Sequence, residues 1–461
     1  MAEIFIRKFS EVSGGRFDPE FYIGQTIQIA TYPLKNFVKI KSGKRIPKGR
    51  SYANTTTTYK YLRVDDLDSE ILEIDIDKLK SIDKDIFTLL ERYEIHNDEV
   101  ALSIAGTIGK VFIFHNTTSN RVILTENCVK LQAQDNLLPK FLSLILKTDF
   151  LQSQMKRQYI QTTIPKLAIE RIKELQIPSI PPLSTQQHII DLMDKAYKAK
   201  QEKENKAKEL LDSIDSYLLE ELGIILPLRA NNTLDSRIYT QKISALSGSR
   251  FDANYHQPYY KKFEQALESG KYKTLRLVDI CQFRRGSFPQ PYGNQEWYGG
   301  ANAMPFVQVA DIDDNFKLKE KTNQQISQLA QPKSVFVSQN TIILSIQGTI
   351  GRVAITQYDC YVDRTIAIFT ELSNLLNQHF LAYMLSILFK NKADTARGIT
   401  LKTITKEEFR NFKIPLPPLT EQERIAKEIS QRKAQAKALK QEAKELLESA
   451  KKEVEHIILG G

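Results

Sequence analysis

The sequence is poor in the residues that hold metals or form covalent cross-links. It contains three cysteines among 461 residues, at positions 128, 281 and 360, and six scattered histidines. The cysteines form no Cys-x-x-Cys pair and no Cys/His cluster. We therefore expect neither a disulfide framework nor a structural zinc site.

Long hydrophobic runs are also missing. No stretch approaches the roughly 18 apolar residues of a membrane-spanning helix, and the first residues lack the apolar segment of a secretory signal. We therefore expect a protein that does not cross a membrane. The low cysteine content favours the reducing cytoplasm as its location.

The overall composition is that of a globular protein with a mild positive charge. Hydrophobic residues make up 41% and charged residues 26%, which excludes a largely disordered or collagen-like chain. A net charge of +10 permits a polyanionic partner without requiring one. At roughly 100–200 residues per domain, the length predicts two to four folding units.

The chain contains two copies of one sequence pattern. Residues 13–18 read Ser-Gly-Gly-Arg-Phe-Asp, and residues 247–252, 234 positions later, read Ser-Gly-Ser-Arg-Phe-Asp. Leu-Ser-Ile-Ala-Gly-Thr-Ile-Gly-Lys-Val at 102–111 returns as Leu-Ser-Ile-Gln-Gly-Thr-Ile-Gly-Arg-Val at 344–353, and Ile-Pro-Ser-Ile-Pro-Pro-Leu at 177–183 returns as Ile-Pro-Leu-Pro-Pro-Leu at 414–419. Units of about 235 residues are too long for a solenoid, so the pattern indicates a duplicated domain.

Each copy changes character at its proline-rich segment. Before it, Ile- and Val-rich runs such as 99–114 and 341–355 are broken by glycine and predict strands, so each copy opens as an α+β domain. After it, the chain predicts a long helix, with Ser184 and Thr420 as N-caps and with Gln187 and Glu423 at the capping-box spacing. We assign 1–183 and 224–419 to the two domains, the latter including a linker, and 184–223 and 420–461 to the helices.

The two helices carry apolar residues at alternating steps of three and four, which is typical of a heptad seam. Lys200 and Lys203 interrupt the first seam, and Arg432 interrupts the second. The seam residues are Ile189, Met193, Ala196, Ala207, Leu210, Ile214 and Tyr217 in the first helix, and Ile425, Ile429, Ala436, Leu439, Ala443, Leu446 and Ala450 in the second. Because equivalent halves usually close around a two-fold axis, we expect the helices to pack antiparallel, with pseudo-two-fold symmetry and one domain at each end of the pair. The alternative is that the two helices do not pack on each other and are either charged helices surrounded by solvent or ordinary helices of a globular domain.

The motifs that suggest catalysis do not meet their requirements. The turn Gly-Thr-Ile-Gly-Lys-Val at 106–111 has two residues, not four, between its first glycine and Gly-Lys, and no Ser or Thr follows to hold magnesium. We interpret it, with its counterpart at 348–353, as a tight turn from which Lys110 and Arg352 project. Ile180 and Leu416 precede the Pro-Pro pairs, so the Asn/Asp-Pro-Pro-Tyr/Phe methyltransferase motif is absent. We find no catalytic constellation.

One polar loop occupies the same place in both copies. Residues 39–63 mix lysine and arginine with tyrosine, and residues 281–297 mix arginine, glutamine and asparagine with aromatic residues. Lys and Arg neutralise phosphates, while Arg, Gln and Asn form bidentate contacts to base edges. The strong difference between the loops suggests one scaffold adapted to two ligands. A third polar segment precedes each proline-rich segment, at 161–166 and 398–403, and an ordinary helix start is the alternative there.

This organisation resembles the specificity subunit of type I restriction–modification systems. The resemblance is carried by the duplicated Arg-Phe-Asp openings, the duplicated Ser-Ile-x-Gly-Thr-Ile-Gly turn, and the segment Ile-Pro-Leu-Pro-Pro-Leu-Thr-Glu-Gln at 414–422 that leads into a long helix. It extends over essentially the whole chain. The first copy departs from the usual form at 179–180 and 184–186.

The resemblance implies a non-catalytic subunit with two target recognition domains, each reading half of an asymmetric bipartite sequence in double-stranded DNA. The helices are then a spacer and a platform for two methyltransferase subunits, and motor–nuclease subunits join them. S-adenosylmethionine, ATP and Mg²⁺ are expected on those partners and no cofactor on this chain. The candidate DNA-binding residues are Lys41, Lys44, Arg45, Lys48, Arg50, Tyr59, Arg63, Lys110, Thr163, Lys166, Arg284, Arg285, Gln290, Asn294, Trp297, Gln308, Arg352, Thr400 and Lys402.

Two other functions remain open from the sequence. One is a nucleic-acid-binding protein that acts without catalytic partners, which tight binding to one DNA sequence by the isolated chain would favour. The other is an enzyme with a nucleotide site at the glycine turns. Loss of ATP binding on substitution of Gly109 or Gly351 would favour that function.

Overall fold

The computed structural model describes residues 29–67, 74–158, 166–229, 233–246, 251, 253–313, 315–393, 396 and 402–460. By their internal contacts these residues divide into two compact units. The first unit comprises Met1–Lys203 with Gln441–Gly461, and the second comprises Glu204–Lys440. The Arg-Phe-Asp openings at 16–18 and 250–252 lie outside the described residues, apart from Phe251.

The first unit contains two larger sheets and one two-stranded sheet, which joins its first and last strands. Its strands are β1 (Thr31–Pro33), β2 (Val38–Ser42), β3 (Tyr59–Leu62), β4 (Lys80–Ser81), β5 (Val100–Ser103), β6 (Val111–Ile113), β7 (Arg121–Leu124), β8 (Cys128–Ala133) and β9 (Gln176–Pro178). Its helices are α1 (Lys84–Leu90), α2 (Pro139–Lys147), α3 (Asp149–Gln158), α4 (Ile169–Lys173) and the first part of α5 (Leu183–Glu221). One larger sheet has the antiparallel order β2-β8-β5-β6, and the other larger sheet has the order β4-β3-β7 with β3 parallel to β7.

The apolar runs form strands because both faces of the four-stranded sheet are covered. All four residues of β5 are buried. Val100 and Leu102 belong to the hydrophobic cluster on the helical side, whereas Ala101 belongs to the cluster between the two sheets. A strand buried on both faces has no polar alternation, which explains the continuous Ile- and Val-rich pattern at 99–114.

The second unit repeats this plan. Its strands are β10 (Thr274–Arg276), β11 (Gln282–Arg285), β12 (Met304–Val307), β13 (Gln324–Ile326), β14 (Val335–Val337), β15 (Ile342–Ser345), β16 (Val353–Ile355), β17 (Cys360–Val362), β18 (Ile366–Thr370) and β19 (Lys413–Pro415). Its helices are α6 (Leu234–Arg237), α7 (Ile243–Leu246), α8 (Pro258–Glu268), α9 (Leu277–Ile280), α10 (Gln378–Lys392), α11 (Lys406–Arg410) and the first part of α12 (Leu419–Ile458). The two larger sheets have the orders β11-β18-β15-β16 and β13-β12-β17-β14, again with one parallel pair, β12 and β17. The strands β10 and β19 form a two-stranded antiparallel sheet.

Both long helices begin directly after the Pro-Pro pairs. The carbonyl of Pro182 accepts from Gln186 N at 3.1 Å, and that of Pro418 accepts from Gln422 N at 3.1 Å. The predicted N-caps Ser184 and Thr420 are therefore wrong, because both lie inside the first helical turn. Pro182 and Pro418 each stand directly before the first helical residue, and their carbonyls accept the first helical hydrogen bonds.

In the second unit, the end of α5 packs antiparallel to the start of α12. Arg432 Nη1 of α12 donates to Ser213 Oγ of α5 at 2.9 Å. Arg424, eight residues earlier in α12, forms an ion pair with Glu221, eight residues later in α5, so the two helices run in opposite directions. The guanidinium of Arg432 also lies 4.3 Å from the centre of the Tyr217 ring. This contact explains why an arginine is tolerated in the apolar seam.

In the first unit, the start of α5 packs against the end of α12. Leu447, Ala450, Val454 and Ile458 belong to the same hydrophobic cluster as Met193. The Nζ of Lys203 lies 2.6 Å from Glu442 Oε2, so one of the two lysines that interrupt the first seam pairs with the opposite helix. The structure confirms the predicted fold class: two α+β repeats, each followed by a long helix, with the helices packed antiparallel.

Each domain is thus completed by a helix segment from the other repeat. Ile214, Leu218 and Leu222, at the end of the first repeat's helix, belong to the cluster that contains α10 of the second unit. The residues at the end of α12 have the corresponding place in the first unit. None of the described helices is long and apolar enough to cross a membrane.

Candidate nucleic-acid interface

Each polar loop leaves its sheet at a glycine. Gly43 follows β2, and its N–H donates to Cys128 O at 3.0 Å, while Lys44 N donates to Leu124 O at 2.9 Å. In the second unit, Gly286 follows β11, and its N–H donates to Ile366 O at 2.9 Å. The start of each loop is therefore fixed between the two sheets of its unit.

Only glycine fits at these two positions. A Cβ on Gly43 would lie 2.0 Å from Thr125 O, and a Cβ on Gly286 would lie 2.4 Å from Asp363 O. Both neighbours are main-chain atoms of a packed strand or turn and cannot rotate away. The sequence analysis missed these residues, although a glycine directly after a short strand that is rich in lysine or arginine recurs in both copies.

We predict that Gly43→Ala destabilises the first unit. Because the added methyl group displaces a strand, the free energy of unfolding should fall by about 1–3 kcal/mol or more. Chemical denaturation of the full chain measures this change, with the adjacent Ser42→Ala as the matched control. Equal stability of the two variants would contradict the close approach at Gly43.

The first loop presents several cations to solvent. Lys41, Lys44 and Lys48 are exposed. Arg45 is also exposed, and its Nε donates to Glu126 Oε1 at 2.6 Å. Arg50 pairs with Asp85 at 2.5 Å. Exposed ion pairs of this kind contribute little to stability, so both arginines can exchange their carboxylates for phosphates at low cost.

Tyr59, Tyr61 and the last cation of this segment turn towards the protein, whereas Tyr52 is exposed. The ring of Tyr59 lies 4.7 Å from that of Phe87. Arg63 forms a two-pronged ion pair with Asp66, at 2.7 and 3.1 Å. Tyr61 donates its hydroxyl to Lys44 O at 2.8 Å, and burial raises the pKa of this hydroxyl, so it remains a donor. These residues attach the loop to the rest of the domain, while the exposed lysines face solvent.

The second loop is organised around a buried tryptophan. Trp297 is 6% exposed, and its Nε1 donates to Pro291 O at 3.1 Å, while Lys333 Nζ lies 4.4 Å from the centre of a ring of this side chain. Asn294 caps the following turn by accepting from Glu296 N at 3.3 Å. Gln290, Tyr292 and Gln295 are exposed, and so are Pro291 and the carboxylate residue Glu296.

Two adjacent arginines lie on β11 before this loop. Arg284 is exposed and donates to Phe336 O at 3.2 Å, and Arg285 is exposed and donates to Thr403 Oγ1 at 3.5 Å. Although Arg285 is exposed as a residue, partial desolvation of its guanidinium lowers its pKa, and the charge of nearby Arg364 lowers this pKa further. Arginine remains a cation at neutral pH despite such a shift, so this edge is a region of concentrated positive charge.

The glycine turns have the predicted conformation but not the predicted side-chain directions. Gly106, Gly109, Gly348 and Gly351 all have positive φ, between 75° and 95°. Lys110 Nζ turns inward and donates to Leu67 O at 2.7 Å, and Arg352 Nη1 donates to Ile312 O at 3.1 Å. The prediction that these two cations project from their turns is wrong, because both satisfy main-chain carbonyls of the loop that follows β3 or β12.

The remaining predicted residues lie near these turns. Thr163 and Thr400 are outside the described residues. Lys166 is exposed, and its main chain forms an antiparallel β-bridge with Ala105. Lys402 is half-buried, and its carbonyl accepts a hydrogen bond from Gly348 N at 3.0 Å. Gln308 N donates to Asp311 Oδ2 at 2.9 Å, and the equivalent bond in the first unit joins Arg63 N to Asp66. For all nineteen predicted residues, contact with DNA stays a prediction.

The described residues contain no group of three or more His, Cys, Asp or Glu side chains that could hold a metal ion. The three cysteines are buried, and burial raises the pKa of each thiol to about 12. At neutral pH they therefore carry almost no thiolate, which is the form that acts as a nucleophile. What the loops offer is exposed lysine, arginine and amide groups, which suit recognition of a polyanion.

Comparison with known proteins points to one family. The model described as Type I restriction modification DNA specificity domain matches residues 27–212 and 269–449, one match for each repeat. A protein assigned as the type I restriction enzyme MjaX specificity subunit of Methanocaldococcus jannaschii is 22% identical over 403 residues, or 84% of either chain. The type I restriction enzyme EcoBI specificity subunit of Escherichia coli is 25% identical over 153 residues, or 32% of either chain.

The fold resembles that of a solved structure. That structure is described as the structural basis of complex assembly and conformational transition of the type I R-M system. The similarity covers 93% of this chain and 96% of that chain, with a TM-score of 0.53 and 17% sequence identity. At this level of identity the likeness concerns the fold.

Proposed function

Because the chain belongs to the family of type I restriction modification DNA specificity domains, we propose that it is the DNA-recognition subunit of a type I restriction–modification complex. Each α+β domain, which we call the first or second reader, binds one half of a bipartite target in double-stranded DNA. The subunit selects the sequence and carries out no catalysis. Methyl transfer and cleavage belong to its partner subunits.

One observation carries the proposal. The same scaffold occurs twice, and in both copies a loop of different composition leaves the four-stranded sheet at a glycine, Gly43 or Gly286. The first loop exposes lysines, and the second exposes amides and a tyrosine beside two arginines. Two readers with different exposed side chains select different half-sites, so the target is asymmetric.

The assembly and its cofactors extend the proposal. Two methyltransferase subunits dock on the long helices, and motor–nuclease subunits join the complete complex. S-adenosylmethionine, ATP and Mg²⁺ are bound by these partners, and the complex acts in the cytoplasm. Helices α5 and α12 set the length of the unread gap between the half-sites, since each domain is anchored to both helices.

Methylation mapping tests the proposal. DNA from cells that carry this gene and its methyltransferase gene should be methylated at a bipartite, asymmetric sequence with a gap of fixed length. Cells that lack only this gene should lose that methylation. A methylation pattern that does not depend on the gene would refute the assignment.

We predict that DNA binding loses part of its salt dependence when exposed loop lysines are neutralised. Each phosphate contact contributes about 0.9 to the slope of log K against log salt concentration. If Lys44 and Lys48 each contact one phosphate, Lys44→Gln with Lys48→Gln should reduce the slope by about 1.8. Titrations at several salt concentrations measure it, and Lys261→Gln on α8 is the control. An unchanged slope would place these lysines away from DNA.

A further inference from the structure

A fully buried glutamine stands at the same place in both repeats. Gln186 and Gln422 are each the fourth residue of their long helix and each 0% exposed. Each follows a Pro-Pro pair by the same spacing. Nothing in the proposed function so far uses these side chains.

In the first unit the Gln186 amide joins three segments. Its Oε1 accepts from Leu138 N at 2.9 Å, and its Nε2 donates to Asn136 O at 2.7 Å and to Pro181 O at 2.8 Å. Asn136 and Leu138 lie in the turn that leads into α2, and α2 packs on the four-stranded sheet. The amide therefore connects that turn, the proline-rich segment and the start of α5.

Gln422 makes the same three contacts in the second unit. Its Oε1 accepts from Asn377 N at 2.9 Å, and its Nε2 donates to Leu375 O and to Pro417 O, both at 2.8 Å. Leu375 and Asn377 lead into α10, the counterpart of α2. All three partners are main-chain groups at equivalent positions in two copies that otherwise differ widely, which indicates that the geometry of this junction matters.

We propose that Gln186 and Gln422 are positioning residues that fix the angle of each reader on its pair of helices, and that they thereby define the gap length that the subunit accepts. The inference rests on the proposed function, because a gap exists only for a bipartite target. A rotation at the junction also rotates the DNA-facing loop, because that loop follows β2 or β11, an edge strand of the four-stranded sheet of the same domain.

The chemistry of the amide makes it hard to replace. A glutamine accepts and donates at once, whereas a glutamate at this position would turn an acceptor oxygen towards two carbonyls. Methionine has nearly the same length and fills the same space, but it makes none of the three bonds. Gln422→Met is therefore expected to loosen the junction while it preserves the packing of the cluster that includes Ile425 and Ile429.

The experiment uses the complete methyltransferase complex with wild-type subunit, Gln186→Met or Gln422→Met. Methylation rates are measured on DNA duplexes that share both half-sites and differ only in a gap of n − 1, n or n + 1 base pairs, where n is the natural gap. For each variant, the methylation rate at gap n is divided by the rate at gap n − 1 or n + 1. A general loss of activity lowers both rates equally and leaves this ratio unchanged. Gln187→Met and Glu423→Met, at the exposed neighbours, are the matched controls.

We expect the preference for gap n to fall at least tenfold in Gln186→Met and Gln422→Met and to stay unchanged in the controls. Wild-type gap preference in folded variants would overturn the inference. If circular dichroism shows that a methionine variant is unfolded, Gln422→Asn, which keeps the amide but shortens its reach, is measured in the same way. A wild-type complex without any fixed-gap target would instead refute the proposed function.

Discussion

Deletion of residues 441–461 is expected to unfold the first reader, at the opposite end of the sequence, and to leave the core of the second reader intact. The deleted segment contributes Leu447, Ala450, Val454 and Ile458 to the first hydrophobic cluster. Glu455 also accepts from Phe150 N at 2.9 Å. The cluster of the second unit contains no residue beyond Ile429.

The size of this effect follows from burial. Each large apolar side chain stabilises the fold by about 1.5–3 kcal/mol when it is buried, so the loss of three of them, with an alanine, approaches the roughly 5–15 kcal/mol that keeps a domain folded. Hydrogen exchange should show lost protection in β5 and α2, and binding to the first half-site should disappear.

A point variant tests the same contact without shortening the chain. Val454 is 3% exposed, so Val454→Asp places a carboxylate in the apolar cluster and should cost about 3 kcal/mol or more. Glu453→Asp, at the exposed neighbour, is the control. Lost protection in β15 and α10 instead of β5 and α2 would show that the helix end belongs to the other domain.

Exchange of the exposed side chains of the second loop should change one half of the target and leave the other half as it was. The side chains to exchange are those of Gln290, Tyr292 and Gln295. A good bidentate contact to a base contributes about 1–3 kcal/mol of discrimination, so the loss of one should weaken binding to the original half-site by about 5- to 150-fold. Methylation mapping of the variant complex identifies the new half-site.

The controls for this exchange come from the same loop and from its counterpart. Trp297→Ala removes a core side chain, should cost about 3–5 kcal/mol, and should weaken binding without creating a new specificity. Replacement of Lys44 and Lys48, whose expected contacts are to phosphates, should weaken binding without changing either half of the target sequence. A change in both halves after exchange of the second loop would disprove two independent readers.

The fold was largely predictable because the chain contains two copies of one sequence pattern, which can be compared with each other. Two collinear copies mark the equivalent elements, and an apolar run such as 99–114 has few alternatives to buried strands. The heptad pattern indicated which helix faces are buried, and Ile189, Ile425 and Ile429 are indeed 0% exposed. The position of Arg432 in the seam could not be explained in advance, since its partner Tyr217 lies more than 200 residues away.

The candidate site was less predictable because the same residue types serve two purposes. Lys110, Arg63 and Arg352 satisfy carbonyl or carboxylate groups of their own domain, whereas Lys44 and Lys48 face solvent. The sequence marks all five simply as basic residues near glycine or tyrosine. Which of them turn inward depends on acceptors that only the folded loops bring within reach.

The glutamine junction could have been found from the sequence. Gln186 and Gln422 stand at the same spacing from a Pro-Pro pair in both copies, but the capping-box rule directed attention to the next residue in each copy. That rule assumes a hydroxyl N-cap, and here a proline carbonyl accepts the first helical hydrogen bonds. A buried amide within the first turn has no standard sequence signature.

The exchange of helix ends between the repeats also imposes an order on biosynthesis. The residues that complete the core of the first domain, Leu447 to Ile458, are made more than 240 residues after Lys203 and after the whole second domain. At about 5–20 residues per second, roughly 10–50 s separate Lys203 from these residues. During that interval the apolar face of α5 is without its partner, so the nascent chain must tolerate or shield it. The first reader is therefore the first to be synthesised and the last to be finished.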